Sequence, residues 1–133
     1  MTTTVMPAAP GFPSGSDRLV STRINGVLAA LPCFGWCVES HHVQNHRFVE
    51  DFSHTSDSAD VTVPRLSGRR EVFSARVLAW PHSGTAPTVV VDSADDECAE
   101  LDADQADAFA DELIRTASRV RAMAAIVRAS QPA

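Results

Sequence analysis

The feature that most constrains this chain is a segment, residues 33–58, that is rich in cysteine and histidine and lacks sustained hydrophobic periodicity. It holds two of the three cysteines and four of the five histidines in the 133-residue chain. Its apolar content is too low to offset the entropy of ordering it by burial alone. The segment therefore needs another source of order, and its residue types point to a bound metal ion.

The spacing of these residues predicts a zinc site. Cys33, Cys37 and His41 follow one another at steps of four residues, and His54 comes at the end of a polar loop. In a helical turn, residues four apart share one face, so the first three side chains would converge and His54 would complete the set. Two cysteines and two histidines commonly bind structural zinc. We predict a structural Zn²⁺ on these four residues.

Other interpretations of the same residues stay open. The two close cysteines could be small core residues beside Trp36, with the histidines facing solvent. If a metal is bound, His42 and His46 compete with His41 for the position of third ligand. Cys98 lies in an acidic turn without a partner, so we interpret it as an ordinary half-buried thiol.

The flanking segments have recognisable patterns. Residues 1–15 are rich in Pro, Gly and small residues, which predicts a disordered tail. Residues 16–31 carry an apolar stripe at helical spacing, which favours a helix, although Gly26 and the β-branched residues leave a strand open; Pro32 would end either element. Residues 59–63, 71–80 and 88–92 have strand character, and residues 81–87 have the Pro and Gly content of a hairpin loop.

The last element is the clearest. Asp102 and Gln105 have the spacing of a helix capping box. Apolar residues then follow at helical spacing: Ala106, Phe109, Ala110, Leu113, Ala117, Val120, Ala124 and Val127. Acidic residues lead and arginines follow, which matches the helix dipole. We therefore predict a helix over residues 102–129 that packs its apolar stripe onto the sheet.

Together these patterns predict an α+β fold: a short antiparallel sheet of about three strands packed by a C-terminal helix, with an N-terminal zinc-knuckle-like loop. The chain length suits one domain. We expect a single domain over residues 16–130, with the zinc loop at 33–54, the strand meander at 59–92 and the helix at 102–129.

Charge and hydropathy narrow the partners and the compartment. The net charge is −6, and every basic residue is Arg. An acidic domain repels the phosphate backbone, which argues against nucleic acid as a partner. The sequence shows no secretory signal and no stretch long enough to span a bilayer, so we expect a cytoplasmic protein with no membrane association. Close cysteines in a reducing compartment suit a metal better than a disulfide.

The residues favour a zinc-stabilised binding or regulatory module that recognises a protein partner. Its support is the four-ligand set and an acidic block between Asp92 and Glu112. Homodimerisation through the exposed half of the sheet or through the long Ala-rich helix is a further expectation, since a three-stranded sheet leaves edges to cover. No catalytic motif of a known hydrolase is present, so we do not expect an enzyme.

Two alternative functions follow from the same segment. A zinc-dependent hydrolase would keep one coordination position for water and use Glu39, Glu50 or Asp51 as the base. A nucleic-acid-binding zinc knuckle would use its aromatic residues and an arginine: Phe34, Trp36 and Arg47.

The chain also resembles a known family. A Cys before a Trp-Cys pair, then an acidic residue and His, a polar loop ending in His, a short meander and a capped helix are similar to an uncharacterised actinobacterial and phage-borne family of small proteins. The resemblance covers roughly residues 33–120. The family usually has Cys-Pro-x-Trp-Cys, whereas Phe34 stands at the Pro position here. The resemblance implies this architecture and the ligands Cys33, Cys37, His41 and His54, and it implies no activity.

Overall fold

A computed structural model of the chain describes residues 17–95 and 97–132. The tail predicted over residues 1–15 lies outside the described residues. The chain divides into two compact units, one up to Glu100 and one from Leu101 onward. Strands and short 3₁₀ turns make up the first unit, and a long helix makes up most of the second. The predicted α+β class is confirmed, and the single domain over residues 16–130 stays a prediction.

The first sheet has three strands: β1 (Arg18–Ile24), β2 (Val27–Cys33) and β3 (Asn45–His46). The order is β2-β1-β3. β1 and β2 form an antiparallel hairpin, and β3 runs parallel to β1. Pro32 lies inside β2 instead of ending it, which an edge strand tolerates because its outer N–H groups have no partner strand.

The helix favoured for residues 16–31 is therefore wrong, and the two-residue turn between β1 and β2 gives the reason. Asn25 and Gly26 have φ of 50° and 79°, the left-handed conformations that a tight hairpin turn requires. Asn45 Oδ1 accepts a hydrogen bond of 2.9 Å from the Gly26 amide. The Asn-Gly pair and the β-branched residues around it favour a hairpin over a helix. The spacing of the apolar residues does not decide between the two, because it is compatible with both.

The second sheet has five strands: β4 (His54–Thr55), β5 (Ala59–Arg65), β6 (Gly68–Ala79), β7 (Thr88–Ser93) and β8 (Cys98–Leu101). The order is β4-β6-β7-β8, and β5 also pairs with β6. The prediction of one sheet of about three strands is thus wrong: residues 17–95 and 97–132 form two sheets, of three and five strands. The predicted strand segments lie in β5, β6 and β7, and the added strands are short.

The buried interior of the first unit lies at the ends of these sheets. Cys33, Phe34, Cys37 and Ala79 form a buried cluster, and Trp36 packs against it. Phe52 and His54 are also fully buried. Five of these six buried residues belong to the cysteine- and histidine-rich segment.

The second unit contains helix α1 (Ala103–Ala129). Asp102 Oδ1 accepts from the Gln105 amide at 2.8 Å, and Gln105 Oε1 accepts from the Asp102 amide at 3.0 Å. These two bonds form the predicted capping box. The packing of α1 onto a sheet stays a prediction. Among the described residues, no helix combines the length and apolar character needed to cross a membrane.

Candidate metal centre

Four different structural elements position the cysteine and histidine side chains. Cys33 is the last residue of β2, and Cys37 follows a tight turn in which its amide donates to the Phe34 carbonyl at 3.1 Å. His41 is the first residue of a 3₁₀ turn, His41–Val43, and His54 is the first residue of β4. The α-helical turn predicted to bring Cys33, Cys37 and His41 together is therefore absent. The end of β2 and the two turns that follow it bring these residues together instead.

The four side chains form one buried group. Cys33 and His54 are fully buried, and Cys37 and His41 are 4% and 2% exposed. One donor atom from each residue lies within 4.8 Å of the other three. These residues lie close enough to hold a metal ion.

Three of the distances between donor atoms match edges of a tetrahedral shell. Cys33 Sγ lies 3.6 Å from His41 Nε2 and 3.5 Å from His54 Nδ1, and Cys37 Sγ lies 3.4 Å from His41 Nε2. Zn–S bonds of about 2.3 Å and Zn–N bonds of about 2.0–2.1 Å at the tetrahedral angle place sulfur and nitrogen about 3.6 Å apart. All four donor atoms lie within 4.8 Å of one another, so small side-chain movements would complete the shell.

The other two histidines considered as third ligand lie outside this group. His42 is exposed. His46 is half-buried, and its Nε2 lies 3.1 Å from Gln44 Oε1. Of the three candidates, the structure brings His41 into the group.

A hydrogen-bonded chain behind His41 fixes which of its nitrogens faces the cysteines. Gln44 Nε2 donates to Glu39 Oε2 at 3.1 Å, and a carboxylate can only accept, so Gln44 Oε1 faces the other way. That oxygen lies 3.1 Å from His41 Nδ1. His41 Nδ1 therefore carries the proton and donates it to Gln44, which leaves the Nε2 lone pair directed at the two sulfurs.

Arg18 contacts the cysteines from β1. Its Nη2 donates to the Cys37 carbonyl oxygen at 2.9 Å and to Cys33 Sγ at 3.5 Å. A guanidinium beside sulfur stabilises the thiolate, the form that binds metals. Arg18 thus ties the first strand to the group and adds a positive charge next to it.

Aromatic rings enclose the group on its other sides. Phe34 stacks on Trp36 at a centroid distance of 4.8 Å and meets the His54 ring edge to face at 4.9 Å. Phe52 lies 4.5 Å from the His41 ring and 4.9 Å from the His54 ring. These aromatic rings keep water away from the group, and electrostatic interactions are stronger where water is excluded.

The surroundings set the protonation of the ligand atoms. Burial lowers the pKa of His54 to about 4, and burial also lowers the pKa of His41. Both rings are therefore neutral near pH 7, the form in which imidazole binds metals. Burial raises the pKa of the Cys33 thiol, while the hydrogen bond from Arg18 opposes that rise. A metal arriving at the site would have to displace the thiol proton.

Gln44 and Arg18 contact the group but were not predicted as site residues from the sequence. The three-residue step from His41 to Gln44 was a usable signal for the first, since a 3₁₀ turn places residues i and i+3 on one side. Arg18 had no such signal, because its approach depends on the hairpin register that pairs it with Cys33. Two residues proposed as catalytic bases, Glu50 and Asp51, are exposed and lie outside the buried group.

Comparison with known proteins places the chain in a family. The model of a domain of unknown function, DUF6907, matches residues 17–129, which is most of the chain. No curated protein and no solved structure matched the chain. The chain belongs to the DUF6907 family, and the predicted resemblance to an uncharacterised family is confirmed.

Proposed function

We propose that this DUF6907 protein is a small binding or regulatory module stabilised by one structural Zn²⁺ ion held by Cys33, Cys37, His41 and His54. The observation that carries the proposal is the match between the S···N distances of 3.4–3.6 Å and the edges of a zinc tetrahedron. Thiolate and imidazole together suit zinc far better than magnesium or calcium, which prefer oxygen.

A structural role is favoured over a catalytic one by the number and burial of the donors. Four protein ligands fill a tetrahedral shell, whereas a hydrolytic zinc keeps one position for water. All four residues are at most 4% exposed. Glu39, the remaining candidate base, is engaged with Gln44. These observations therefore favour a structural zinc ion over the hydrolase hypothesis.

Burial also weakens the nucleic-acid alternative. Phe34 is 4% exposed, and it already stacks on Trp36 and meets the His54 ring edge to face. A base needs a free aromatic face to stack on, and Phe34 does not offer one.

The role of the metal in stability follows from the size of the unit's core. Apparent binding free energies of structural zinc reach about 10–16 kcal/mol, and whole domains are stable by only about 5–15 kcal/mol. The core of the first unit is built around the proposed ligands themselves. Removing zinc should therefore unfold this unit.

The experiment is native mass spectrometry of the purified protein with and without a chelator, combined with circular dichroism. We expect a mass increase of about 63 Da, one zinc minus two protons, and loss of the β-sheet signal on chelation. X-ray absorption should show two sulfur and two nitrogen neighbours. A metal-free protein that keeps its fold in chelator would refute the zinc site, and an oxygen neighbour would revive the hydrolase.

Recognition of a protein partner is the second part of the proposal, and it depends on charge. Asp95, Glu97 and Glu100 are exposed and belong to the acidic block between Asp92 and Glu112. Such a surface suits a basic protein partner. Cross-linking of the zinc-loaded protein in its host cell should recover one protein, and recovery should fall when these three acids are changed to Gln or Asn. Unchanged recovery would contradict this part.

A further inference from the structure

Helix α1 carries a hydrophobic repeat of seven residues. Three consecutive repeats place residues at the two seam positions of a coiled coil, here called the seam: Ala106, Phe109, Leu113, Thr116, Val120, Met123 and Val127. A seven-residue repeat directs one stripe of a helix toward another helix over its whole length. The repeat therefore predicts that α1 can pack along its length against a second helix.

The larger apolar seam residues from Leu113 onward are accessible. Leu113 is 36% exposed, Met123 53%, Val120 56% and Val127 60%. These four lie within 15 residues on one helix stripe, and contiguous exposed apolar surface on a soluble protein commonly marks an interaction site. The seam is therefore a candidate contact surface.

The charges along α1 select the partner and its direction. Five acidic residues lie between Asp102 and Glu112, and no Arg occurs there, whereas four Arg follow from Arg115 to Arg128. Two copies side by side in parallel would align acid with acid and Arg with Arg. Antiparallel copies align the acidic half of each helix with the basic half of the other, which is electrostatically complementary.

We propose that α1 pairs antiparallel with α1 of a second copy of this chain through the seam, so that Leu113, Val120 and Val127 contact the partner helix instead of a sheet of their own chain. The packing of one register supports this arrangement. With the two-fold axis near the helix centre, Leu113 lies against Thr116 of the partner subunit. Met123 then lies against Ala106 of the partner subunit. Large residues face smaller ones in both layers, so the seam can close without gaps.

This register also defines an ion pair across the seam. Glu112 lies one residue before a seam position, and in the antiparallel dimer it approaches Arg119 of the partner subunit, twice by symmetry. Within its own helix, Glu112 already accepts from Arg115 Nη2 at 3.1 Å, with both side chains 67% exposed. The exposed carboxylate has room for a second arginine. The proposal depends on residues 102–129 alone and does not depend on the metal.

The test is the dimerisation constant of the full-length, zinc-loaded protein, measured by sedimentation velocity in reducing buffer from about 1 to 200 μM, the range that covers micromolar association. We expect a reversible dimer that weakens as salt rises, because the ion pairs are exposed. Reducing buffer prevents a disulfide through the exposed Cys98 from imitating the dimer.

Charge reversal distinguishes this interface from others. Arg119→Glu places like charges together at both symmetric pairs and should weaken the dimer about tenfold, since exposed pairs are individually weak. Arg121→Glu makes the same charge change away from the seam and should change the constant less than about twofold. The double variant E112R/R119E recreates the pairs with reversed sign and should restore the dimer.

Three outcomes would overturn the proposal. A monomer over the whole concentration range would remove the dimer. Equal effects of Arg119→Glu and Arg121→Glu would show that the seam is not the interface. Failure of E112R/R119E to recover affinity, with helicity unchanged by circular dichroism, would exclude this antiparallel register. None of these results bears on the zinc site, whose occupancy is read independently by mass.

Discussion

Replacing Gln44 tests whether the hydrogen-bonded chain behind His41 tunes metal affinity. Gln44 Oε1 is the acceptor for His41 Nδ1 at 3.1 Å, and His41 is only 2% exposed, so water cannot readily replace the lost acceptor in Gln44→Ala. A buried donor left without a partner costs about 1–3 kcal/mol, which corresponds to roughly 5- to 150-fold in affinity. Losses of about 10- to 100-fold are typical when the acceptor behind a metal-bound histidine is removed.

The assay is competition for Zn²⁺ against a chromophoric chelator of known affinity. The double variant E39Q/Q44E is the matched control, because the carboxylate at position 44 keeps an oxygen acceptor for His41 and accepts from the amide at position 39. We expect Gln44→Ala to bind zinc about 10- to 100-fold more weakly and E39Q/Q44E to retain most of the affinity. Long-range ¹⁵N NMR should show His41 protonated at Nδ1 in the wild type. Zinc affinity of Gln44→Ala within about twofold of wild type would refute the reasoning.

Three further predictions follow from other contacts. Thr22 is fully buried and its Oγ1 has no hydrogen-bond partner among the described residues, so Thr22→Val should raise the free energy of unfolding by about 1 kcal/mol in urea titrations, and a decrease would count against it. His54→Ala should abolish the one-zinc mass shift whereas His42→Ala, on an exposed residue, should keep it; the reverse pattern would move the site. The hydrogen bond from Arg76 lowers the pKa of Asp92, so this pair stabilises the fold above the ordinary carboxyl pKa and loses its contribution as pH falls through the lowered value. In urea titrations from about pH 5 to 3, the free energy of unfolding should fall less with pH in Asp92→Asn than in the wild type. An equal fall in both proteins would contradict the pairing.

A strand could be predicted from the sequence where apolar and polar residues alternate along it. Phe73, Ala75 and Val77 alternate with polar residues, and this period of two placed the longest strand, β6, within a few residues of its observed bounds. The capping box of α1 was equally local, since Asp102 and Gln105 bond to each other's backbone. Signals confined to a few consecutive residues could therefore be read from the sequence.

The features that were missed depend on distant contacts. β3 and β4 are two residues long, and each exists because a longer strand lies beside it: β1 for Asn45 and β6 for His54. No local pattern marks such strands, so the second sheet was undercounted and the first was not foreseen. The β1–β2 hairpin is different, because Asn25-Gly26 was a local signal that the helical stripe obscured.

The four proposed ligands show the same difference between local sequence signals and distant contacts. The spacing of Cys33, Cys37 and His41 and the isolated position of His54 singled out the four residues that the structure brings together. The reason given for their convergence, a helical turn, was wrong. The sequence also left three neighbouring histidines open as third ligand, of which the structure brings His41 into the group. Residue types and rough spacing indicate a donor set, but the backbone path that assembles it is set by the strands on either side.

The position of Cys33 and His54 at strand ends has a consequence for cooperativity. Cys33 is the last residue of β2 in the three-stranded sheet and His54 is the first residue of β4 in the five-stranded sheet, so an ion bound by both would join the two sheets. With the ion bound, amide hydrogens in β1 and β6 should exchange with a common opening free energy, as one folding unit. In the metal-free protein the amides of both sheets should lose this protection, because removing the ion should unfold the unit.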